Sequence, residues 1–418
     1  MKPAPAVLGI VAAGACATAR AGVAPLVGGS VAPGFEDVRA TFESNFAQRN
    51  ELGAALAVYH QGVKVVDVWG GFLDKDRQRP WLEDSMVVVF STTKGLAAVT
   101  LAMAHSKGWL DYDAPVATYW PEFAQHGKQH ITVRQLLAHE AGLVTLKDGL
   151  DVSAVMDLDA VASQLAREAP QWTPGQRHGY HASTIGLYIN ELMRRVDPSH
   201  RTIGQVFAQD VAAVLGAEFY IGLPTEIPDA RLATIQMISP MGGLTNLGKV
   251  PLVMWPKLFN PWSTFNASLA IPTGYNANQR ASLAVELAAG NGVGTARGVA
   301  AVYNQLATGA PTLGISQATL EQLYAAPPQA GGAQDAVMGI ETYFSLGFWK
   351  PSPDVEFGSS RRAVASAGAG GSFAYADPDA LVAYAYVMNR MDYYVKDDPR
   401  EGALRASVKR CVQQLQNR

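Results

Sequence analysis

A serine and a lysine three residues apart could form the reactive centre of this chain. Ser91 and Lys94 lie in the stretch Val87–Ala97, an apolar run that turns into a predicted helix at Ser91. Residues three apart on a helix share one face, so the hydroxyl and the amine are expected to be neighbours. Burial disfavours a charged lysine, and a near-neutral amine beside a hydroxyl is a base beside a nucleophile. A helix cap followed by a surface lysine would give the same pattern, but no other serine of the chain has a lysine at this spacing.

Two further stretches carry groups that could complete such a site. The first, Trp172–Ser183, is rich in Trp, Pro and Gly and presents Tyr180 just before a predicted helix. A phenol facing the Lys94 ammonium would be favoured as the phenolate, which is an effective base. The second, Ser366–Pro378, has small residues beside a predicted strand, where backbone N–H groups can approach a ligand closely. The simpler interpretations are tyrosine packing and a glycine turn, and His139 is interpreted as a hydrogen-bonded structural residue.

Composition excludes several classes of function. The chain has 418 residues, 48% hydrophobic and 17% charged, which is enough for two domains or one domain with a large insertion. Its net charge of −3, without a basic block, argues against nucleic acid as a partner. Two cysteines, Cys16 and Cys411, exclude a disulfide framework and a cysteine metal site. His126 and His130 are separated by Gly-Lys and predict an exposed loop, and Gly290–Gly294 predicts a tight turn before a helix. We therefore expect neither a metal nor a cofactor.

The N-terminus resembles a secretory signal peptide. Lys2 precedes the apolar run Val7–Ala15, and Ala19–Ala21 fits a small-x-small cleavage site. If residues 1–21 act as a signal peptide, the protein is exported to the periplasm or the exterior. The alternative is a cytoplasmic enzyme with an alanine-rich tail. No segment reaches the roughly 18 apolar residues without charge that a membrane span needs.

Hydrophobic periodicity predicts strands near both chain ends and helices in the middle. The predicted elements are an amphipathic helix over 35–46, a hairpin of 55–60 and 63–71, helices over 131–143, 152–168 and 184–195, a helix starting at 294, strands at 344–349, 372–376 and 381–388, and a helix over 404–415. This order predicts an α/β fold of the α+β type, in which an antiparallel sheet built from both chain ends is flanked by helices and carries an inserted helical domain. The predicted domains are a leader and tail over 1–30, an α/β sandwich of 31–110 plus 291–418, and a helical domain of 111–290, with the site in the cleft between the last two.

Several stretches taken together resemble the serine β-lactamase-like hydrolases, and within them the bacterial family VIII carboxylesterases. These stretches are Phe90–Gly95, Leu136–Leu143, Gly179–Ala182, Asn291–Arg297, Gly368–Ser372 and Ala376–Pro378, in the family's order and at similar spacing. The resemblance implies a β-lactamase/transpeptidase-like fold. It also implies that Ser91 is the acylated nucleophile and that Lys94 and Tyr180 together act as its general base. The oxyanion hole would consist of the backbone N–H groups of Ser91 and Ala369.

Two departures from the family pattern concern the substrate. β-Lactamases of this shape have Asn where this chain has Ala182, and the third motif usually begins with Lys, His or Trp where this chain has Ser366. We therefore predict Ala182, Ser366 and Gly368 in the pocket of a serine carboxylesterase that acts on short-chain acyl esters, a small-molecule substrate, and could hydrolyse β-lactams weakly. The alternatives are a class C-like β-lactamase or D-alanyl-D-alanine carboxypeptidase, and a catalytically silent penicillin-recognising protein. The oligomeric state is left open.

Overall fold

An eight-stranded antiparallel sheet forms the centre of the protein, which we describe from a computed structural model over residues 27–239, 246–269 and 272–417. Its strand order is β1-β3-β2-β11-β10-β9-β8-β7. The strands are β1 Val27–Val31, β2 Gly53–His60, β3 Val63–Gly71, β7 Tyr343–Ser345, β8 Phe348–Lys350, β9 Val364–Ala367, β10 Phe373–Asp377 and β11 Val382–Met388. A second sheet, ordered β4-β6-β5, consists of β4 Val87–Val88, β5 Phe219–Tyr220 and β6 Val293–Gly294. Because β2 pairs with β11, the main sheet joins both chain ends, which confirms the predicted fold class.

Helices cover the sheet and fill the middle of the chain. They are α1 Glu36–Gln48, α2 Thr93–Ser106, α3 Val133–Leu137, α4 Leu158–Arg167, α5 Thr184–Val196, α6 Ile203–Val206, α7 Ala213–Leu215, α8 Trp255–Phe259, α9 Thr264–Ser268, α10 Arg280–Ala284, α11 Ala296–Ala307, α12 Gln317–Tyr324 and α13 Pro399–Gln416. A π-helical segment, Phe207–Ala212, connects α6 and α7. No helix in the described ranges has the length and hydropathy of a membrane span.

Helix α2 lies between the sheet and the middle helices. It is buried from Thr93 to Ala104, as its nearly uninterrupted apolar sequence predicts. It contacts β8 and β9 of the sheet as well as α5, α6 and α12. Leu96 of α2 belongs to one apolar core that includes Leu192 of α5 and Val299 of α11. The first turn of α2 is therefore held from both sides.

Two predicted helices are shorter than their hydrophobic patterns suggest, and one predicted strand is divided into two. The helix predicted over 131–143 begins after Thr132, whose side chain caps it, but ends at Leu137. His139 follows with φ of 61°, a left-handed conformation that ends a helix. In that conformation the His139 carbonyl accepts the backbone N–H of Gly179, so a contact with a distant loop overrides the local pattern.

The strand predicted over 344–349 is two strands, β7 and β8, because Leu346 and Gly347 turn the chain with φ of 48° and 91°. The helix predicted over 152–168 begins at Leu158, where the Asp157 side chain accepts the N–H of Ala160 and caps it.

The predicted tail over 1–30 ends inside the main sheet. Val27–Val31 pairs with β3 as an edge strand, with Val27 opposite Gly70. The sequence Val-Gly-Gly-Ser-Val has too little alternation to indicate a strand, and its backbone hydrogen bonds to β3 define it instead. The predicted signal peptide, residues 1–21, lies outside the described residues.

Candidate active site

Ser91 lies on a strained turn at the start of α2. It is the middle residue of a short 3₁₀ turn, Phe90–Thr92, which leads directly into the helix. Phe90 has φ of 46°, a conformation that bulky side chains rarely adopt. Strain of this kind persists only where the surrounding structure enforces it, and it concentrates at functional sites.

Two threonines anchor this turn to distant loops. Thr92 Oγ1 lies 3.1 Å from Ser372 Oγ at the start of β10, and Ser372 Oγ donates a 2.8 Å hydrogen bond to the carbonyl of Val89. Thr93 Oγ1 accepts the backbone N–H of Gly292 at 2.9 Å. The stretches that contain Ser91, Gly292 and Ser372, predicted as separate features of the sequence, are thus joined directly around the turn that carries Ser91.

Lys94 presents its amine to the Ser91 hydroxyl. Its Nζ lies 3.0 Å from Ser91 Oγ and donates a 2.7 Å hydrogen bond to the carbonyl of Ala289. Only 5% of Lys94 is exposed, and burial lowers its pKa to about 7. A large fraction of the amine is therefore uncharged near neutral pH, and its lone pair can accept the Ser91 proton.

The loop whose Ala289 carbonyl binds Lys94 is held together by Asn291, a residue for which the sequence predicted no role. Asn291 is fully buried, its Oδ1 accepts the backbone N–H of Leu287 at 3.0 Å, and its Nδ2 donates to the carbonyls of Ser282 and Val285. These bonds tie together the loop that contains Ala289. Asn291 therefore sets the position of the acceptor that orients the Lys94 amine.

Tyr180 completes the predicted set, but as a neutral phenol. Lys94 Nζ lies 5.0 Å from the centroid of the Tyr180 ring, so the amine faces the ring. Burial raises the pKa of Tyr180 well above its usual value, and the Ser91 hydroxyl and the Trp349 side chain offset this only in part. The prediction that Lys94 would favour a phenolate is therefore not supported. Within the described ranges the Tyr180 hydroxyl has no well-aligned hydrogen-bond partner, which leaves it available to a substrate.

Aromatic packing and one buried carboxylate fix the position of Tyr180. Its ring stacks on Phe344 at 5.8 Å between centroids and lies 5.6 Å from Trp349. Its backbone N–H donates to Asp335 Oδ2 at 3.0 Å, and Asp335 is 1% exposed. Asp335 lies 155 residues further along the chain, so no local sequence pattern predicts its contact with Tyr180.

His139 has the structural role that was predicted for it. The residue is 2% exposed, and its Nδ1 accepts the backbone N–H of His181 at 3.1 Å. Its ring lies 5.1 Å from the ring of Tyr180. His139 therefore supports the tyrosine loop.

Two residues that line the cavity beside Ser91 have backbone N–H groups without a protein acceptor in the described ranges. Ser91 and Ala369 both line a cavity of about 680 Å³, and the N–H of neither donates to a protein acceptor within the described ranges. Ala369 lies in a β-turn that is closed by a 3.2 Å hydrogen bond from the N–H of Gly371 to the carbonyl of Gly368. Unpaired N–H groups in this arrangement can bind a developing oxyanion.

The cavity has mainly apolar walls. Typical wall residues are Val250, Met254, Leu258, Phe265, Val337 and Met338. Ala182 and Gly368 also line it, as predicted. The placement of Ser366 in the pocket is wrong: the residue is 1% exposed, and a side chain on Gly95 would collide with its Oγ beneath α2. Side chains alternate along a strand, so Ala367, its neighbour on β9, faces the cavity instead.

Comparison with known proteins assigns the chain to a family. The model of the beta-lactamase family matches residues 38–408. The chain belongs to the beta-lactamase family. Its relative esterase/beta-lactamase LipL of Mycobacterium tuberculosis is 32% identical over 367 residues, which are 87% of this chain and 83% of LipL. The crystal structure of a family VIII carboxylesterase is 35% identical with a TM-score of 0.81 and covers 92% of this chain and 100% of its own. EstA from Arthrobacter nitroguajacolicus Rue61a is 33% identical with a TM-score of 0.80, covering 93% and 99%. The predicted resemblance is confirmed.

We expect Tyr180→Phe to lower kcat by about 10²-fold with a small change in KM, because a positioned proton donor is lost while the ring packing stays. Steady-state kinetics on a chromogenic ester would measure this. Tyr112→Phe is a matched control, since Tyr112 also buries a hydroxyl without a hydrogen-bond partner in the described ranges and does not line the cavity. Equal kcat values for the two variants would contradict a role for the Tyr180 hydroxyl.

Proposed function

We propose that this chain is a serine carboxylesterase that hydrolyses neutral carboxylic esters through an acyl-enzyme on Ser91. The observation that carries the proposal is the 3.0 Å approach of Lys94 Nζ to Ser91 Oγ, because the pKa of this amine is about 7. Ser91 lines an apolar cavity, and among the described residues the backbone N–H groups of Ser91 and Ala369 in its wall have no protein acceptor. A nucleophile, a base and an oxyanion site within one cavity are the requirements of acyl transfer.

Acylation begins when the uncharged Lys94 amine takes the Ser91 proton as Oγ attacks the ester carbonyl carbon. The carbonyl oxygen becomes an oxyanion and accepts hydrogen bonds from the N–H groups of Ser91 and Ala369, each worth about 3 kcal/mol to the transition state. When the intermediate collapses, the C–O bond to the alcohol breaks. The neutral Tyr180 phenol can relay the proton from Lys94 to the departing alkoxide. A water molecule, deprotonated by the same amine, then attacks the acyl carbonyl carbon; the bond from that carbon to Ser91 Oγ breaks, the Lys94 ammonium returns its proton to Oγ, and the acid leaves.

The charges around the cavity favour neutral substrates. Two positively charged side chains line the cavity in the described ranges, Lys396 and Arg405. Lys396 pairs with Asp354 and Arg405 pairs with Glu401, so neither is free to bind the carboxylate of a β-lactam. Ala182 offers no amide there either. These features support an esterase over the β-lactamase and peptidase alternatives.

The volume of the cavity determines how long an acyl group it can hold. A volume of about 680 Å³ is in the range of pockets that enclose drug-sized ligands, so the cavity has space for more than a short chain. Each methylene buried in an apolar pocket contributes about 0.8 kcal/mol. We therefore extend the predicted short-chain specificity to acyl groups of intermediate length.

We expect p-nitrophenyl esters to be hydrolysed with a KM that falls from acetate through butanoate to hexanoate, and a chromogenic cephalosporin to be turned over far more slowly. Both rates would be measured on the same preparation. Cephalosporin turnover faster than butanoate turnover would favour the β-lactamase alternative. No turnover of either substrate, together with no labelling by a fluorophosphonate probe, would favour the catalytically silent alternative.

We also propose that the protein is exported, on the support of the apolar stretch Val7–Ala15 and the motif Ala19–Ala21 alone. N-terminal sequencing of the mature protein tests this. A first residue near position 22 supports export, and an intact N-terminus supports the cytoplasmic alternative.

A further inference from the structure

The β-turn Gly368–Gly371, here called the oxyanion turn, is bound from behind by a buried arginine. Arg400 lies in the first turn of α13 and is 1% exposed. Its Nη2 donates a 2.9 Å hydrogen bond to the carbonyl of Gly370. Nothing in the sequence or in the proposed chemistry of Ser91, Lys94 and Tyr180 accounts for a cation at this place.

Arg400 is the centre of a buried charged cluster. Its Nε and Nη2 donate to the two carboxylate oxygens of Asp398 at 3.0 and 2.6 Å. Its Nη1 donates to Glu51 Oε1 at 3.2 Å and to the carbonyl of Arg390 at 2.8 Å. The hydroxyl of Tyr386 donates to the other oxygen of Glu51. Arg400, Glu51 and Asp398 are at most 7% exposed, so the guanidinium has a fixed orientation.

Such a cluster is poorly explained by stability alone. Taking one guanidinium and two carboxylates out of water carries a desolvation cost that their mutual attraction often only offsets. Apolar side chains of similar volume would serve a core as well or better. The cluster contacts the active site through the Gly370 carbonyl, which connects its rigidity to the oxyanion turn.

The oxyanion turn needs an external support. Gly370 and Gly371 have φ of 85° and 119°, conformations that glycine adopts easily and also leaves easily. Within the turn the hydrogen bond from the Gly371 N–H to the Gly368 carbonyl is at the upper end of the usual range, 3.2 Å, and a 2.8 Å bond from the Gly368 N–H to the Ser372 carbonyl closes its base but leaves the Gly370 peptide unheld. A Cβ on Gly370 would lie 2.7 Å from Met391, and a Cβ on Gly371 would lie 2.9 Å from Asp398 Oδ2. The turn is thus pressed against the elements that carry the cluster.

We propose that Arg400 is a positioning residue for the oxyanion hole. By fixing the Gly370 carbonyl, its guanidinium holds the turn in the conformation that directs the Ala369 N–H into the cavity in front of Ser91. The inference rests on the proposed function, because an oxyanion site matters only if acyl transfer occurs at Ser91. Arg400 contacts no reacting atom. Its replacement should therefore act through the free energy of the transition state, which kcat reports, and not through substrate binding.

The test compares Arg400→Met and Arg400→Lys with the wild type on p-nitrophenyl butanoate. We expect Arg400→Met to lower kcat by about 10- to 100-fold with KM within about twofold. The Ala369 N–H donor would be displaced and not removed, so the loss of kcat should be smaller than the loss on deleting an oxyanion-hole donor. Arg400→Lys should recover part of the loss, because an ammonium can still donate to the Gly370 carbonyl. Lys128→Met is a matched control: Lys128 is fully buried and donates to the carbonyls of Ala166 and Glu168, away from the cavity.

A sulfur substitution separates positioning from general destabilisation. In a thionoester the carbonyl oxygen is replaced by sulfur, a larger atom and a weak hydrogen-bond acceptor. An intact oxyanion hole therefore prefers the oxo ester strongly. We expect the ratio of oxo to thiono turnover to fall at least about tenfold in Arg400→Met and to stay at the wild-type value in Lys128→Met.

Glu51→Gln provides a second route if Arg400→Met does not fold. It keeps the shape of the Glu51 side chain and removes one charge that orients Arg400. Its oxo-to-thiono ratio should fall by a smaller factor. A wild-type ratio in every folded variant overturns the role of Arg400, while a wild type without ester turnover overturns the proposed function instead.

Discussion

Replacing Ser91 by Ala is expected to reduce ester turnover by about 10⁴-fold or more. The variant keeps the cavity, the Lys94 amine and the N–H groups of residues 91 and 369, but it lacks the hydroxyl proposed to form the acyl-enzyme. In the variant, water must attack the bound ester directly, with help only from substrate binding and the oxyanion donors. Such residual catalysis is small compared with that of the complete enzyme. Initial rates with p-nitrophenyl butanoate, measured at high enzyme concentration, cover this range.

Ser106→Ala is the matched control for that experiment. Ser106 lies at the other end of α2, and its hydroxyl donates to the carbonyl of Ala102 in the same helix. It should retain wild-type turnover. If Ser91→Ala retains turnover comparable to that of Ser106→Ala, the assignment of the nucleophile is wrong.

Replacing Lys94 by Met is expected to lower kcat by about 10³-fold, because the base that takes the Ser91 proton is lost. In the wild type this base must be uncharged, and burial lowers its pKa to about 7. Wild-type kcat/KM should therefore fall as the pH drops below about 7 and level off above it. Lys94→Met should lack this step in its pH profile. The control variant Lys107→Met should keep this step in the pH profile. Lys107 is a partly exposed lysine at the end of α2 that pairs with Asp210.

The same lysine should make stability depend on pH with a defined sign. The pKa of Lys94 is about 7 in the folded protein and about 10.4 in an unfolded chain, so the unfolded state binds more protons between these values. The free energy of unfolding of the wild type therefore rises with pH across this window, relative to Lys94→Met. Below pH 7 both states are protonated and the wild type carries the full cost of a buried ammonium, on the order of a few kcal/mol at about 1.4 kcal/mol per pKa unit.

Chemical denaturation of both proteins at pH 6 and pH 9.5 measures this difference. Lys94→Met should gain stability relative to the wild type at the lower pH and lose that advantage at the higher one. A difference in unfolding free energy that does not change with pH would show that the Lys94 amine has an ordinary pKa, and the proposed base would then be protonated at neutral pH.

The local part of the site could be predicted from the sequence. Ser91 lies in the short 3₁₀ turn that leads into α2 and Lys94 lies in the first turn of α2, so the three-residue spacing of a continuous helical backbone brings their side chains together. Tyr180 was a candidate from the composition of its loop, but its role beside Ser91 and the choice of Ala369 came from the family resemblance, since no periodicity relates residues so far apart. The main sheet was predicted from the alternating runs of β2, β3, β10 and β11, which are apolar and long enough to recognise.

Two parts of the site could not be predicted correctly: the residues that support it, and the position of Ser366. Each has its own physical reason. Asp335, Asn291 and Arg400 act on backbone groups that are distant in the chain or belong to irregular loops, and such contacts leave no periodic signal. Ser366 was misplaced because β9 was not recognised as a strand. Without a strand register the alternation of its side chains could not be applied, and the residue that faces the cavity could not be told from its neighbour.

The central claim is that Ser91 becomes covalently acylated, and intact-mass spectrometry of the protein mixed rapidly with an activated ester tests it most directly. We expect a transient mass increase equal to one acyl group, mapped to the peptide that contains Ser91 and not seen in Ser91→Ala. Continued ester turnover with the acyl group on another residue, or the same adduct in Ser91→Ala, would contradict it.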